Sequence, residues 1–471
     1  MAAVSGSAER VWDGGYTPSQ VRHALRFITL AWVFGAAFFA ITTGPAFASF
    51  LKQYLQVDDL RYGLIMAAGP AASLFWFLGS YVVERSGRAK PLFMWFVTGH
   101  RLLWLVPAAT PLLLRFVGRD GAIWLVVASI FVSAAAGSFG GVGWWVWMST
   151  IVPRPIAGRY FGHRARLGLL SMLTSMVIVS LLVDRFHGRG FVYASVFTAA
   201  ALCGAADILL FLPITEKPRQ APKAQPTMAE ILVIPWREPM FRVVSAYLAT
   251  ATVSYAITGA FLFPFCFAPV REHGLGLTVV QTTAMVVVLP QLMTAWCSPT
   301  WGRVIDAFGP KSALRAGAMA AITLPLWWML LHRGGPGYSD WIWLLPVSTA
   351  FAGLTVPGID QALAYMQLRE FPVERRTAYT AAFQVVIGLS AMAGTSAGGV
   401  MAKWFQAHMT SLPWQPAWLS HYHLVFGVAL LIRLGAFVFL FARMPLQGRV
   451  GAVQVYRWVL HDLFSRRRQA T

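Results

Sequence analysis

Long apolar runs separated by short polar breaks recur along almost the whole chain, and few charges interrupt them. A bilayer core about 30 Å thick requires roughly 20 mostly apolar residues per helical crossing, and this pattern meets that requirement repeatedly. It predicts spans at 25–49, 62–83, 91–114, 122–147, 166–183, 190–213, 241–267, 277–300, 313–331, 341–365, 378–402 and 423–443. The first run is too long for a cleaved signal segment and lacks a small-residue cleavage site, so it is read as a span. The pattern therefore predicts an all-α polytopic membrane protein with twelve transmembrane helices.

Composition excludes the alternatives. Of 471 residues, 57% are hydrophobic and only 12% charged, with a mean hydropathy of +0.59, far from a soluble domain. A net charge of +20 raises the question of nucleic acid, which the placement of the charge answers. With the N-terminus in the cytoplasm, 27 of the 38 Lys and Arg fall on cytoplasmic segments, 9 on outside segments and 2 inside spans. That bias is the positive-inside pattern of a multi-pass protein in a cell membrane, a bacterial inner membrane by expectation, with both termini inside. Nucleic acid is not an expected partner. Cys203, Cys266 and Cys297 all lie in spans without disulfide or metal spacing, and no cofactor or metal is expected.

A Pro-, Lys-, Gln- and Glu-rich stretch separates six spans from six. The predicted organisation is a first bundle at 1–213, a cytoplasmic linker at 214–240, a second bundle at 241–445 and a basic tail at 446–471. Within the linker, Thr227 and Glu230 have capping-box spacing ahead of a short surface helix. The halves also repeat their loops. GSYVVERSGRAKP after span 2 and GRVIDAFGPK after span 8 align Gly87 with Gly309, an offset of 222 residues, and set Glu84 opposite Asp306. Pro153 and Tyr160 after span 4 correspond to Pro372 and Tyr379 after span 10 at an offset of 219. Two loops agreeing so closely indicate an internal repeat.

The first of these loops, with Glu84, Arg85, Gly87, Arg88 and Lys90, resembles the span 2–3 signature of the major facilitator superfamily, although Ser80 stands where Gly is usual and Ala89 where a basic residue is usual. The second copy supplies Gly302, Arg303, Asp306, Gly309 and Lys311, with Ala307 in place of the signature's Arg. The resemblance implies two pseudo-symmetric six-helix bundles, secondary active transport of a small solute by alternating access, and a latch in these loops. It also implies that spans 1, 4, 7 and 10 line a central cavity, while spans 3, 6, 9 and 12 lie outside it. The superfamily's drug antiporters usually carry Gly and Pro in span 5, whereas this span reads LGLLSMLTSMVIVSLLV, which argues for another kind of solute.

Ionisable groups inside spans are costly and therefore informative. Asp207 and Asp360 are the embedded carboxylates, and Arg101, Arg433 and His100 the embedded bases. By the resemblance Arg101 and Asp207, on spans 3 and 6, are neighbours and form a structural ion pair. Asp360 on span 10, with Thr355 and Gln361 beside it, is the candidate protonation site, with protons as the candidate coupling ion. Trp144 and Trp147 on span 4 and Tyr255 on span 7 offer stacking surfaces, and Thr42, Thr43, Gln291 and Gln384 offer polar contacts to a substrate. Arg433 has no evident partner. In the tail, Val453, Tyr456, Leu460, Leu463 and Phe464 precede Arg466, Arg467 and Arg468, which predicts an in-plane amphipathic helix on the anionic inner leaflet.

No Walker loop, zinc-protease helix or nucleophile elbow occurs, so an enzyme is not expected. The expectation is a monomeric transporter. The competing reading is a facilitator-fold scaffold, assembly factor or sensor that no longer transports, because fold alone does not assign function.

Overall fold

The computed structural model describes residues 15–186, 188–217, 228–334, 339–369, 376–409, 416, 418–444 and 450–469. The Thr227 capping position therefore lies outside the described residues. Ten helices within them are long and apolar enough to cross a membrane. Spans 3 and 10 complete twelve: span 10 is Leu344–Arg369, and span 3 is built of shorter pieces, Lys90–Leu102 and Leu105–Ala108 before a last stretch from Thr110. At Gly118 the backbone turns to φ 68° and ψ −177°, a conformation open to glycine, and this ends span 3 and begins span 4, which runs to Ile151.

Several helices outrun their apolar cores. Span 1 starts at Pro18 behind a Thr17–Gln20 capping box, and span 5 begins at Arg154, three turns before its apolar run. The others are span 2 at 59–86, span 6 Gly190–Leu209, span 7 Pro239–Phe267, span 8 Val279–Phe308, span 9 Pro310–Leu330, span 11 Arg376–His408 and span 12 at 421–443. A linker helix, Met228–Arg237, and a tail helix, Ala452–Gln469, lie on the same side of the membrane, here termed the linker side.

The exterior is that of a lipid-embedded chain: Trp95 is 80% and Phe116 77% exposed, whereas Arg101 and Arg433 are each 4% exposed. The chain divides into two compact units, Met1–Phe50 with Ala72–Gln225, and Leu51–Ala71 with Pro226–Thr471. The division thus cuts span 2 near Pro70 and the short 3-10 turn Ala72–Leu74, and residues 51–71 join the second unit rather than the first bundle.

In the first unit span 1 packs on spans 5 and 6, and span 3 on spans 4 and 6. Phe47, Phe50, Trp104 and Phe197 form an aromatic core, with Ser49 Oγ and Tyr193 Oη 2.7 Å apart. In the second unit span 11 packs on span 7 and on the start of span 2, span 10 lies between spans 8 and 9, and span 12 packs on spans 7 and 9.

The tail helix also packs on spans 8 and 9. Ala452, Val455 and Val459 form its buried face, Tyr456 Oη donates to the Ala316 carbonyl, and Asp462 pairs with Arg303. Burial pushes the Tyr456 phenol up to about 12, so it remains a donor. Val453 and Leu460, on the side expected to be apolar, are exposed; Leu463 and Phe464 side chains lie outside the described residues. The helix carries two faces, one docked on protein and one open.

Candidate functional site

The repeated loops perform the same local task in both units. Gly87 (φ 64°) and Gly309 (φ 85°) end spans 2 and 8 in the positive-φ region, where a side chain would be strained. Three residues after Gly87 and two after Gly309, a lysine stands at the start of the next span. Lys90 Nζ reaches the Leu212 and Ile214 carbonyls at 2.9 and 2.7 Å, at the end of span 6, and Lys311 Nζ reaches the Met444 carbonyl at 2.6 Å, at the end of span 12. These carbonyls have no partner within their own helices, and an ammonium suits the negative helix end. Glu216 completes the link by accepting from the Ala89 and Lys90 amides at 2.5 and 3.1 Å, at the start of span 3.

The remaining loop residues are more open. Arg85 Nη1 donates to Tyr81 Oη at 2.9 Å, and Arg88 and Asp306 are exposed. Arg303 takes its carboxylate from the tail residue Asp462, which also accepts from Thr300 Oγ1 at 3.0 Å. Gly302 lies beside Gln361, and the Glu84 side chain is outside the described residues.

Arg101 and Arg433 are buried within their spans, and Arg164 is half-buried. Arg101 Nη2 is 2.9 Å from Asp207 Oδ2, and its guanidinium lies 4.1 Å from the Phe38 ring centroid. Arg433 is satisfied without a carboxylate. Its Nε donates to Ser254 Oγ at 3.1 Å, Nη2 to Thr258 Oγ1 at 3.3 Å and Nη1 to the Ala321 carbonyl at 2.6 Å, with the Tyr255 ring 4.1 Å away. The Ala321 carbonyl is free because Pro325, four residues on in span 9, has no N–H. Arg164, on span 5, lies over the rings of Trp32 at 4.3 Å and Trp144 at 4.8 Å.

The polar candidates divide by where they turn. Thr42 and Thr355 are buried and bond the carbonyls one turn back, Phe38 at 2.9 Å and Phe351 at 2.8 Å. Gln361 Nε2 donates to the Ser298 carbonyl at 3.0 Å, so it ties span 10 to span 8. Trp147 is 1% exposed, packed among Phe93 and Phe211, which removes it from any open surface and corrects its reading as a stacking residue. Thr43 and Gln384 are exposed; Gln291, Tyr255 and Trp144 are half-buried. Asp360 is exposed and makes no hydrogen bond or ion pair among the described residues, while acting electrostatically on Tyr255.

On the side opposite the linker a further cluster appears, in residues that the apolar pattern places outside the spans. Asp59, 3% exposed, accepts from Lys52 Nζ at 2.8 Å and Tyr422 Oη at 3.0 Å and lies 3.0 Å from His421 Nε2. It ties the start of span 2 to the start of span 12, and the Gly63 and Gly399 backbones meet beside it, where span 2 crosses span 11.

A family model described as the Major Facilitator Superfamily matches residues 29–332 and 271–455. The chain belongs to the major facilitator superfamily. It is a secondary transporter. Among solved structures it is similar to a mutant of the nucleoside transporter NupG, at 12% identity, a TM-score of 0.69, and cover of 90% of this chain and 100% of the other. It is also similar to a bacterial homolog of the human lysosomal transporter Spinster, in an inward-facing and unoccupied conformation (13%, TM-score 0.61, 95% and 99%). A third is the D-xylose-proton symporter (15%, TM-score 0.60, 88% and 98%). At these identities the likeness is one of fold. No curated protein is matched at a significant level.

Proposed function

We propose that this facilitator is proton-coupled, that Asp360 carries the proton, and that the linker, both termini and the tail helix face the cytoplasm of a cell membrane. The observation that supports the first part is that Asp360 makes no ion pair or hydrogen bond among the described residues. A carboxylate nine residues from the end of span 10 lies roughly 14 Å into the helix, and a group at that depth that is exposed, as Asp360 is, acquires a cation or donors or else faces a water-filled cavity. Asp360 has neither cation nor donor among the described residues. It is free to exchange a proton as the transporter changes state. A proton symporter among the solved structures of the same fold is consistent with this coupling.

The Asp59 cluster supplies the complementary part, a clamp between spans 2 and 12 on the side opposite the linker, which opens when Lys52, His421 and Tyr422 release the carboxylate. Orientation rests on the placement of the basic residues.

The test uses the full chain in proteoliposomes with an internal pH dye, challenged with nucleosides, sugars, short peptides and monocarboxylates. A transported solute should carry protons with it in the wild type, and Asp360→Asn should abolish proton movement while solute counterflow persists. Unchanged coupling in Asp360→Asn would end the assignment.

A further inference from the structure

Arg164 is a half-buried guanidinium that makes no hydrogen bond among the described residues. The loop-like, charge-dense run VPRPIAGRYFGHRAR is helical from Arg154, so Arg164 stands ten residues along span 5, roughly 15 Å from its start. Its guanidinium carbon lies over the indole of Trp32 on span 1 and over that of Trp144 on span 4. Trp32 can lie against span 5 because residue 168, one turn on, is glycine: a Cβ there would collide with the indole nitrogen. Nε is shielded from solvent and unpartnered, and the terminal Nη groups make no bond to protein among the described residues. Asp207, the carboxylate that acts electrostatically on Arg164, is engaged by Arg101.

Aromatic rings stacked on a guanidinium leave its in-plane N–H edge to bond a ligand. We propose that Arg164, set against Trp32 and Trp144, is the anchor for a carboxylate on the transported solute. The inference rests on the transport reading above and names its substrate class, a small organic monoanion. A single guanidinium edge presents paired N–H groups that suit the paired oxygens of one carboxylate better than a phosphate dianion. A purely structural Arg164 would be expected to donate to carbonyls or hydroxyls, as Arg433 does. The indoles further favour an acid with a flat apolar body.

The experiment is thermal melting of the full chain in lipid nanodiscs with acetate, benzoate and indole-3-acetate, each beside its neutral amide, and with inorganic phosphate. At least one acid should raise the melting temperature where its amide does not. Arg164→Gln should abolish that shift while leaving the unliganded melt close to wild type, and Arg164→Lys should weaken the acid about tenfold or more. The proposal is overturned if no acid acts, if acid and amide act alike, if phosphate acts best, or if Arg164→Gln keeps the response. It is also overturned if both variants lower the unliganded melt as a broken structural contact would. Asp360→Asn separates the two readings, since it should retain the carboxylate shift and lose proton coupling, whereas Arg164→Gln should lose the shift. Coupling lost in Asp360→Asn with carboxylate binding intact in Arg164→Gln would sink only the present inference.

Discussion

The two units each bury an arginine and solve its desolvation differently. In the first, Arg101 is neutralised by Asp207, and aromatic rings close over the pair. In the second, Arg433 keeps its full charge and is held by dipoles alone, two hydroxyls, a tyrosine face and a carbonyl that Pro325 releases from its helix. The first arrangement is electrically closed, a brace between spans 3 and 6. The second leaves a net positive charge against Tyr255, in the unit that also holds Asp360. The difference teaches that a buried charge is tolerated by either route, but only the neutralised one is insensitive to what titrates nearby.

The largest expected effect breaks the neutralised arrangement. Asp207→Ala leaves the Arg101 charge uncompensated, and removal of one partner of a buried pair costs about 3–5 kcal/mol, read as a large loss of melting temperature in nanodiscs. Arg101→Met with Asp207→Val should recover most of that loss. A double variant as unstable as the single would show that the pair is not the brace described.

Arg433→Met should cost less. No carboxylate is stranded; what remains is an unpaired Ala321 carbonyl and hydroxyls that retain other bonds, Ser254 donating to the Ala429 carbonyl at 2.7 Å and Thr258 to the Ser254 carbonyl at 3.0 Å. One buried acceptor without a donor costs about 1–3 kcal/mol. A loss equal to that of Asp207→Ala would erase the distinction between the units. Ser254→Ala removes the acceptor of Arg433 Nε and the donor to the Ala429 carbonyl, and should cost toward the lower end of the about 1.5–3 kcal/mol typical of a bond to a charged group in the same assay.

The two arrangements also differ in what sequence can disclose. Opposite charges in otherwise apolar spans are conspicuous, and Arg101, Asp207 and Asp360 stand out for that reason. The partners of Arg433 do not, because a proline-freed carbonyl and two ordinary hydroxyls carry no signal until the helices are placed. Arg164 was hidden by its surroundings: a run so rich in Arg and His reads as loop, although it is the first part of a long helix. Asp59 looks like a loop acid beside Asp58, and it is buried where span 2 packs on span 11 and His421 and Tyr422 of span 12 meet its carboxylate. The span count and the loop repeat were legible, since both depend on apolar length and glycine position. The buried face of the tail helix was not, because it depends on Arg303 meeting Asp462.

The smallest predicted effect is the most discriminating. Pro325→Ala restores an N–H facing the Ala321 carbonyl, so two donors then compete for the acceptor that Arg433 uses. In the wild-type background the change should be near neutral, because the regained helix bond offsets the weakened arginine contact. In an Arg433→Met background the same substitution should stabilise, since the restored N–H satisfies a carbonyl otherwise left bare. The double-mutant cycle should therefore return a coupling of about 1 kcal/mol between residues 325 and 433, although the two side chains share only a carbonyl. Additivity within about 0.3–0.5 kcal/mol would mean that Pro325 merely bends span 9, and the charge on Arg433 would then need another source of stabilisation.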